Sequence, residues 1–244
     1  MTQEPIPFPV RINRYLALKG IATRRAADDL ISAGRVRING KRATLGDRVE
    51  HGDVVDVAGK RQDRSKPLIY LAYYKPRGVV THSPTPGQRS IADAEGIPRG
   101  VSPMGRLDKE SEGLIILTND GRVTERLLHP RFEHEKEYVV QVREKVSPMY
   151  KKIFEGGVVC DGEKLTAKEV SIDGPHMMTV ILTEGKKHQI RRMCAAAHLT
   201  VDRLKRVRVM DVRLGPLGSG KVRALEGRTL KKFLADLGLP ENEK

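Results

Sequence analysis

The sequence contains few of the residues that build secreted or zinc-dependent scaffolds. Only two cysteines occur, Cys160 and Cys194, and their separation matches neither a disulfide framework nor a zinc-binding spacing. No apolar run approaches the roughly 20 residues that a membrane-spanning helix needs. The N-terminus contains prolines and Glu4 and lacks the basic-then-apolar order of a signal peptide. These absences predict a protein of the reducing cytoplasm that does not enter a membrane.

Positive charge, in contrast, is in excess. The chain of 244 residues carries 45 Lys and Arg against 31 Asp and Glu, a formal net charge of +14. This balance favours an anionic partner, and nucleic acid is the first candidate. Charge alone leaves open the alternative of an ordinary soluble protein with a basic surface. Apolar residues make up 39% of the chain, which is enough for a core.

A polar stretch divides the chain into two predicted domains. Residues 60–67 are charged and end in Pro67, a composition typical of a linker. The predicted domains are therefore a small one over residues 1–59 and a larger one over residues 68–244.

The smaller domain is predicted to contain two helices, a hairpin and a further strand. One helical pattern starts at Ile12 and closes at Gly20, and a second runs from the N-cap Thr23 to Gly34. Asn39-Gly40 between short extended stretches is a strong hairpin signal. Residues 54–57 are typical of another strand.

The basic residues of this domain lie on the predicted helices and hairpin: Arg11, Arg14, Arg24, Arg25, Arg35, Arg37, Lys41 and Arg42. If these elements pack together, one face gathers positive charge that matches phosphates, although a solvated surface is the alternative. The stretch from Arg11 to Val57 resembles the S4 RNA-binding domain, notably in Ala22-Thr23-Arg24-Arg25-Ala26 and Gly34-Arg35-Val36-Arg37-Ile38-Asn39-Gly40. The resemblance implies that Arg14, Arg24, Arg25 and Arg37 bind RNA.

The larger domain is predicted to be α+β, with a mixed, mostly antiparallel central sheet flanked by helices. Six stretches are rich in strand-forming residues: Leu68–Tyr74, Leu114–Thr118, Lys136–Val142, Lys168–Ile172, Met178–Leu182 and Val207–Val212. Four stretches have helical periodicity: Arg122–Leu128, Pro148–Glu155, His188–His198 and Thr229–Leu237.

One loop concentrates the residues that could carry chemistry. Residues 104–113 deliver Asp108 between Arg106 and Lys109, and an apolar strand follows. Neighbouring cations favour the ionised carboxylate, which suits a nucleophile or an electrostatic stabiliser better than a general acid. By its spacing alone, such an aspartate is more often a turn residue.

Four motifs in order resemble the pseudouridine synthases, in the branch that includes RsuA, RluB, RluE and RluF. Gly105-Arg106-Leu107-Asp108 followed by Ser111-Glu112-Gly113-Leu114 is similar to the signature loop of that family. The other three motifs are Tyr74-Lys75-Pro76-Arg77-Gly78, His134-Glu135-Lys136-Glu137-Tyr138 and the run from Glu184 to Met193. With the S4-like start, the resemblance covers nearly the whole chain.

The resemblance implies a role for each matching residue. Asp108 is the nucleophile, or the anion that stabilises positive charge at the ribose, when the N-glycosidic bond breaks. Tyr138 stacks on the target base or removes a sugar proton, although a half-buried strand aromatic is its structural alternative. Arg191 pairs with Asp108, while spacing alone does not decide between Arg191 and Arg192. No cofactor and no metal are implied.

Further basic residues are implied to bind RNA beside the site. Arg106 would fill the space that a flipped uridine vacates. Lys187 and Arg192 belong to a second basic cluster, interpreted as an RNA-facing wall: Lys186, Lys187, Arg191, Arg192, Arg203, Lys205, Arg206, Arg208 and Arg213, opposed only by Asp202 and Asp211.

Several other motifs are weaker. Residues 215–221 match the start of a phosphate-binding P-loop, but Val222 replaces the required Ser or Thr, so a surface loop is predicted. His129, His134 and His188 are too dispersed for zinc, and His188 is interpreted as structural or RNA-contacting. Asp120 is interpreted as a simple turn residue.

The motif details are most similar to the RluF group, which implies 23S ribosomal RNA of the large subunit, or its assembly intermediate, and a transfer RNA as a second substrate. Small-subunit RNA is the alternative within the family. A monomer is expected. Two rivals from another class remain: a non-catalytic RNA-binding or ribosome-assembly factor, and a factor that binds stalled ribosomes.

Overall fold

A computed structural model describes residues 8–19, 21–22, 24–58 and 67–240. Residues 60–66 of the predicted linker, the predicted N-cap Thr23 and the predicted helix stop Gly20 lie outside the described residues, so the two domain boundaries stay a prediction. Within the described part of the chain, no helix is long and apolar enough to cross a membrane.

The amino-terminal region packs two helices against short strands. In chain order its elements are β1 (Val10–Arg11), α1 (Ile12–Leu18), α2 (Arg24–Ser32), β2 (Val36–Ile38), β3 (Lys41–Arg42), β4 (Arg48–Val49) and β5 (Val55–Val57). Strands β3, β2 and β5 form one sheet in that order, and β1 pairs with β4. Asn39 and Gly40 both have positive φ, 51° and 78°, which confirms the tight hairpin turn.

The carboxy-terminal region is built on a nine-stranded sheet. The strands of this region, inside and outside that sheet, are β6 (Tyr70–Lys75), β7 (Ser102–Met104), β8 (Glu112–Thr118), β9 (Lys136–Val142), β10 (Val158–Cys160), β11 (Glu163–Leu165), β12 (Glu169–Gly174), β13 (Met177–Leu182), β14 (Val201–Val209), β15 (Val212–Arg213) and β16 (Val222–Ala224). The central order is β12-β13-β9-β14-β8-β6-β16, with β15 on β14 and β7 on β8, while β10 and β11 form a separate hairpin. Only the β14–β8 pair is parallel among the described strands, which confirms the mixed, mostly antiparallel sheet.

Helices cover both faces of this sheet. They are α3 (Gly121–Leu128), α4 (Pro148–Gly156), α5 (Gln189–Ala196) and α6 (Gly227–Asp236). Alternate residues of β6 enter opposite cores: Tyr73 packs in the core that contains α4 and α5, whereas Tyr74 packs in the core of α3 and α6. Burial on both faces explains why the central strands are continuously apolar.

One predicted strand differs from the structure in its bounds. The strand predicted over Val207–Val212 is wrong in its bounds, because β14 starts at Val201 and the chain turns at Met210, whose φ is 51°. Charged residues hid the first half of β14, where Arg203 pairs with Glu112 of β8 and Asp202 pairs with Arg143, which follows β9. The surface loop predicted over residues 215–221 is confirmed, because strand β16 follows it instead of the helix that a phosphate-binding P-loop needs.

One glycine permits the parallel contact of β8 with β14. Gly113 has φ +109°, and a Cβ there would lie 2.2 Å from the carbonyl oxygen of Arg206 and 2.7 Å from its backbone nitrogen. Both neighbours are backbone atoms of an internal strand, so they have little freedom to move. Only glycine therefore allows β14 to pack this closely on β8.

We predict that Gly113→Ala destabilises the protein by at least about 3 kcal/mol, because overpacking against backbone and the positive φ both oppose the methyl group. The measurement is the free energy of unfolding in urea. Gly162→Ala is the matched control, since Gly162 also has positive φ, +77°, but open space around it. Equal losses in the two variants would contradict the close-contact explanation.

Candidate active site

The Asp108 loop joins β7 to β8 and is held by hydrogen bonds on both sides of the aspartate. Thr81 Oγ1 donates to the Leu107 carbonyl at 2.7 Å and accepts from the Leu107 amide at 3.1 Å. The Gly78 amide donates to the Lys109 carbonyl at 2.8 Å, and the Ser111 amide donates to the Asp108 carbonyl at 3.0 Å. The backbone that carries Asp108 is therefore fixed, while its side chain remains 27% exposed.

A fully buried lysine lies beneath this loop. Lys75 Nζ donates to the carbonyls of Pro76 at 2.8 Å and Val79 at 2.7 Å. Burial lowers the pKa of Lys75 to about 8, and the nearby carboxylates of Asp108, Glu110 and Glu112 partly oppose that shift. Lys75 thus braces the turn after β6 and adds positive charge close to Asp108.

Asp108 opens into a cavity of about 670 Å³. Its wall combines the Asp108 loop, strands β9 and β14, and residues 182–190. Four residues singled out from the sequence meet there: Arg106, Asp108, Tyr138 and Lys187. Tyr138 is buried on β9, directly opposite Arg206 of β14.

The two adjacent arginines of α5 point to different partners. Arg191 Nη2 donates to the Glu110 carbonyl at 2.9 Å and lies 3.5 Å from Ser111 Oγ, so it binds the C-terminal half of the Asp108 loop. Arg192 Nη1 bonds Glu163 at 2.8 Å, and its Nη2 bonds the Cys160 carbonyl at 3.0 Å. Arg191 therefore binds the loop backbone rather than the Asp108 carboxylate with which it was expected to pair, and Arg192 faces the β10–β11 hairpin.

The side chain that lies nearest Asp108 among the described ion pairs is a histidine that the sequence analysis did not assign to the site. His188 Nε2 lies 3.5 Å from Asp108 Oδ1. His188 immediately precedes α5 in a left-handed conformation, φ 53° and ψ 28°. That conformation redirects the side chain in a way that helical periodicity does not predict. The sequence did hold one indication that His188 belongs to the site, because it lies in the same motif as Arg191.

The four arginines of the amino-terminal region that were predicted to bind RNA lie in two different places. Arg14, Arg24 and Arg25 line a second cleft of about 250 Å³, between α1, α2 and residues 102–104 and 118–124. Met104 lines this cleft and also the larger cavity, so the two spaces adjoin. Arg37 lies on the hairpin instead, where it donates to the Gly40 carbonyl.

Two interpretations of charged residues need correction. The interpretation as part of an RNA-facing wall is wrong for Arg208, which is buried and bonds Glu135 and Glu137, whereas Arg203 pairs with Glu112 but stays more than half exposed. Asp120 is more than a turn residue, because it is buried and accepts from Tyr70 Oη at 2.7 Å. It also pairs with Arg122 at 2.9 Å.

Comparison with known proteins identifies the family. A family model described as RNA pseudouridylate synthase matches residues 69–196, and an S4 domain model matches residues 10–55. The chain belongs to the RNA pseudouridylate synthase family. It is therefore an isomerase that acts on RNA, with an S4 domain in front of the synthase fold.

Individual relatives agree with this assignment. The chain is 38% identical over 218 residues to the dual-specificity RNA pseudouridine synthase RluF of Escherichia coli K12, covering 88% of this chain and 75% of the relative. It is 35% identical over 240 residues to the ribosomal large subunit pseudouridine synthase B of Bacillus subtilis, covering 93% and 98%. A crystal structure of a pseudouridylate synthase aligns with a TM-score of 0.67 at 25% identity, over 93% of this chain and 99% of that one.

The separation of the two arginines generates a prediction. Arg191→Ala should lower kcat for pseudouridine formation on the order of 10²-fold, because the loop that carries Asp108 loses its anchor. Arg192→Ala should change kcat by less than about threefold, since its ion pair lies at the surface, away from the cavity. Single-turnover assays of both variants make the comparison. Equal losses, or a larger loss for Arg192→Ala, would contradict the assignment.

Proposed function

We propose that this synthase converts a specific uridine of 23S ribosomal RNA to pseudouridine, with Asp108 as the essential carboxylate and without a cofactor. The observation that carries the proposal is the placement of Asp108: a partly exposed carboxylate on a braced loop, at the wall of a cavity that also contains Tyr138. A volume of about 670 Å³ lies within the range of small-ligand sites and accommodates a nucleoside.

The target uridine must leave its stack to enter this cavity. Base flipping costs on the order of a few kcal/mol, which contacts with the flipped base and its surroundings must offset. Arg106 lines the cavity two residues before Asp108, in position to occupy the space that the base vacates. Lys187 lines the same cavity as an exposed cation that suits a phosphate of the target strand.

The chemical step needs a negative group on the ribose side of the glycosidic bond and a group that contacts the uracil on the other side. Asp108 faces the ribose, where it acts as nucleophile or stabilises positive charge at C1′ as the bond to N1 breaks. Tyr138 stacks on the uracil ring or removes a sugar proton. Arg191 acts through the loop as a positioning residue, because its hydrogen bond is to the Glu110 carbonyl.

The S4 domain holds the surrounding RNA in this proposal. Arg14, Arg24 and Arg25 line the cleft that adjoins the active cavity, so RNA can contact both at once. The outward-facing Arg37 would extend the same contact along the hairpin. The enzyme then acts as a monomer in the cytoplasm, where ribosomal RNA is assembled into ribosomes.

The names of the relatives support the choice of RNA. The Bacillus relative is named for the large ribosomal subunit, and the Escherichia relative for dual specificity. We therefore assign 23S ribosomal RNA, free or in an assembly intermediate, as the main substrate and a transfer RNA as the second. Mapping pseudouridines in cells with and without the gene tests this: a site lost only from small-subunit RNA would overturn the choice.

Replacement of Asp108 tests the chemistry. Asp108→Asn keeps the shape and removes the charge, so pseudouridine formation should fall on the order of 10⁴-fold or more, as for essential residues of other covalent or electrostatic sites. Release of tritium from RNA labelled at uracil C5 measures the rate. A variant with the wild-type rate would contradict the proposed mechanism.

Glu110→Gln is the matched control for that measurement. Glu110 lies in the same loop, but its carboxylate is exposed and pairs with Arg77 at 2.9 Å. Removal of this charge should leave the rate within about threefold, since exposed ion pairs contribute little. If the protein were instead the non-catalytic RNA-binding factor considered from the sequence, even the wild type would release no tritium.

A further inference from the structure

The floor of the active cavity contains two cations that the mechanism above does not use. Lys136 of β9 and Arg206 of β14 both line the cavity. Arg206 is only 4% exposed, and Lys136 is partly buried. Burial of charge is costly unless an opposite charge or hydrogen-bond partners compensate it, so two such cations in one cavity require an explanation.

Both cations flank the tyrosine on which the base is proposed to stack. Lys136 precedes Tyr138 by two residues in the same strand, so the two side chains leave the same face of the sheet. Arg206 is directly opposite Tyr138 in the antiparallel β9–β14 pair, which places its side chain on that face as well. A ring stacked on Tyr138 therefore has a cation on two of its sides.

Neither cation has an anionic partner among the described residues. Lys136 Nζ donates to the His134 carbonyl at 2.8 Å, and Arg206 Nε donates to the Leu114 carbonyl at 2.7 Å. The two carboxylates of the cavity wall have other neighbours, since Asp108 lies beside His188 and Glu184 pairs with Lys186 at 3.2 Å. The floor thus carries uncompensated positive charge.

The titration of Lys136 agrees with that geometry. Burial lowers its pKa to about 8, and repulsion from Arg206 adds to the shift. A negative charge bound between them would reverse both effects. The ionisable and charged groups that line the same cavity are Arg106, Asp108, His129, His134, Tyr138, Glu184, Lys186, Lys187, His188 and Arg206.

We propose that Lys136 and Arg206 form a subsite for the uracil anion that exists after the glycosidic bond has broken. This inference rests on the proposed function and names the group that the cavity floor binds. When C1′–N1 breaks, its electron pair leaves with the base, and uracil becomes a monoanion whose charge is shared with O2 and O4. The electron-deficient C1′ is compensated by Asp108.

The subsite holds the base while it turns over. A new bond then forms from C5 to C1′, C5 loses its proton to solvent, and N1 takes up a proton, so the product is an isomer of the substrate. Cations that favour the anion more than neutral uridine lower the barrier, because they act where charge develops. A phosphate is a poorer occupant, since the flipped base enters deepest and the RNA backbone stays near the exposed Lys187.

The first experiment separates charge from shape at position 136. Lys136→Met should lower the single-turnover rate at saturating RNA on the order of 10²- to 10³-fold, comparable to loss of one preorganised donor. Lys136→Arg should retain most of the rate. Wild-type kcat/KM should decline as pH rises above about 8, where Lys136 becomes neutral, and the decline should be smaller in Lys136→Arg, because arginine stays charged and only Lys75, whose pKa is also about 8, still titrates there.

Three results would overturn the assignment. The first is a wild-type rate in Lys136→Met, and the second is the same alkaline decline in Lys136→Arg as in the wild type. The third is a loss of RNA affinity in Lys136→Met with an unchanged rate at saturation, which would indicate a phosphate contact. Lys187→Met provides the contrast, since this exposed cation should affect affinity for RNA rather than the saturated rate.

The second experiment does not depend on catalysis. 5-Nitrouracil is largely anionic at pH 7 because the nitro group acidifies the ring, whereas thymine is neutral. In NMR titrations, the wild-type protein should prefer 5-nitrouracil by about tenfold, the value of one charge-assisted hydrogen bond, and Lys136→Met should lose that preference. An equal preference in both proteins refutes the subsite. A wild-type protein that shows the Lys136-dependent preference but makes no pseudouridine refutes the proposed function and leaves the subsite standing.

Discussion

The parallel contact of β8 with β14 is the constraint on which the site depends. At Gly113 the two backbones approach so closely that a single methyl group would overlap the Arg206 backbone. Strand β8 emerges from the Asp108 loop, and β14 carries Arg206 beside Tyr138 of β9. This one contact therefore sets the distance between the carboxylate on the cavity wall and the cations on its floor.

The distribution of charge follows from how this sheet pairs. The net charge of +14 does not show where positive charge is exposed, because Arg203 and Arg208 are paired with glutamates on or next to neighbouring strands. Other positive side chains line the active cavity and the adjoining cleft, among them Lys136, Lys187 and Arg206 in the cavity and Arg14 and Arg24 in the cleft. These side chains attract a polyanion to the openings of the cavity and the cleft. Inside the cavity, the buried cations Lys136 and Arg206 favour a further anionic group, which RNA phosphates outside the cavity do not supply.

The sequence predicted well those elements whose pattern is dominated by burial. Strand β9 has the predicted bounds, and the four predicted helices all exist, because apolar periodicity reports which face enters the core. The first half of β14 was missed because ion pairs across strands replace apolar residues there. Asp108 looked like a turn residue by spacing and gained its significance from the other motifs, whereas His188 depended on a left-handed backbone that no periodicity reveals.

The central claim is that one cavity holds the target uridine between Asp108 and the Tyr138 floor. A crystal structure of the protein with RNA that carries 5-fluorouridine at the modified position tests it most directly. The account predicts the flipped ring on Tyr138, its oxygens toward Lys136 and Arg206, and the ribose C1′ within contact distance of the Asp108 carboxylate. A flipped base in the cleft lined by Arg14, Arg24 and Arg25, with the cavity empty, would contradict it.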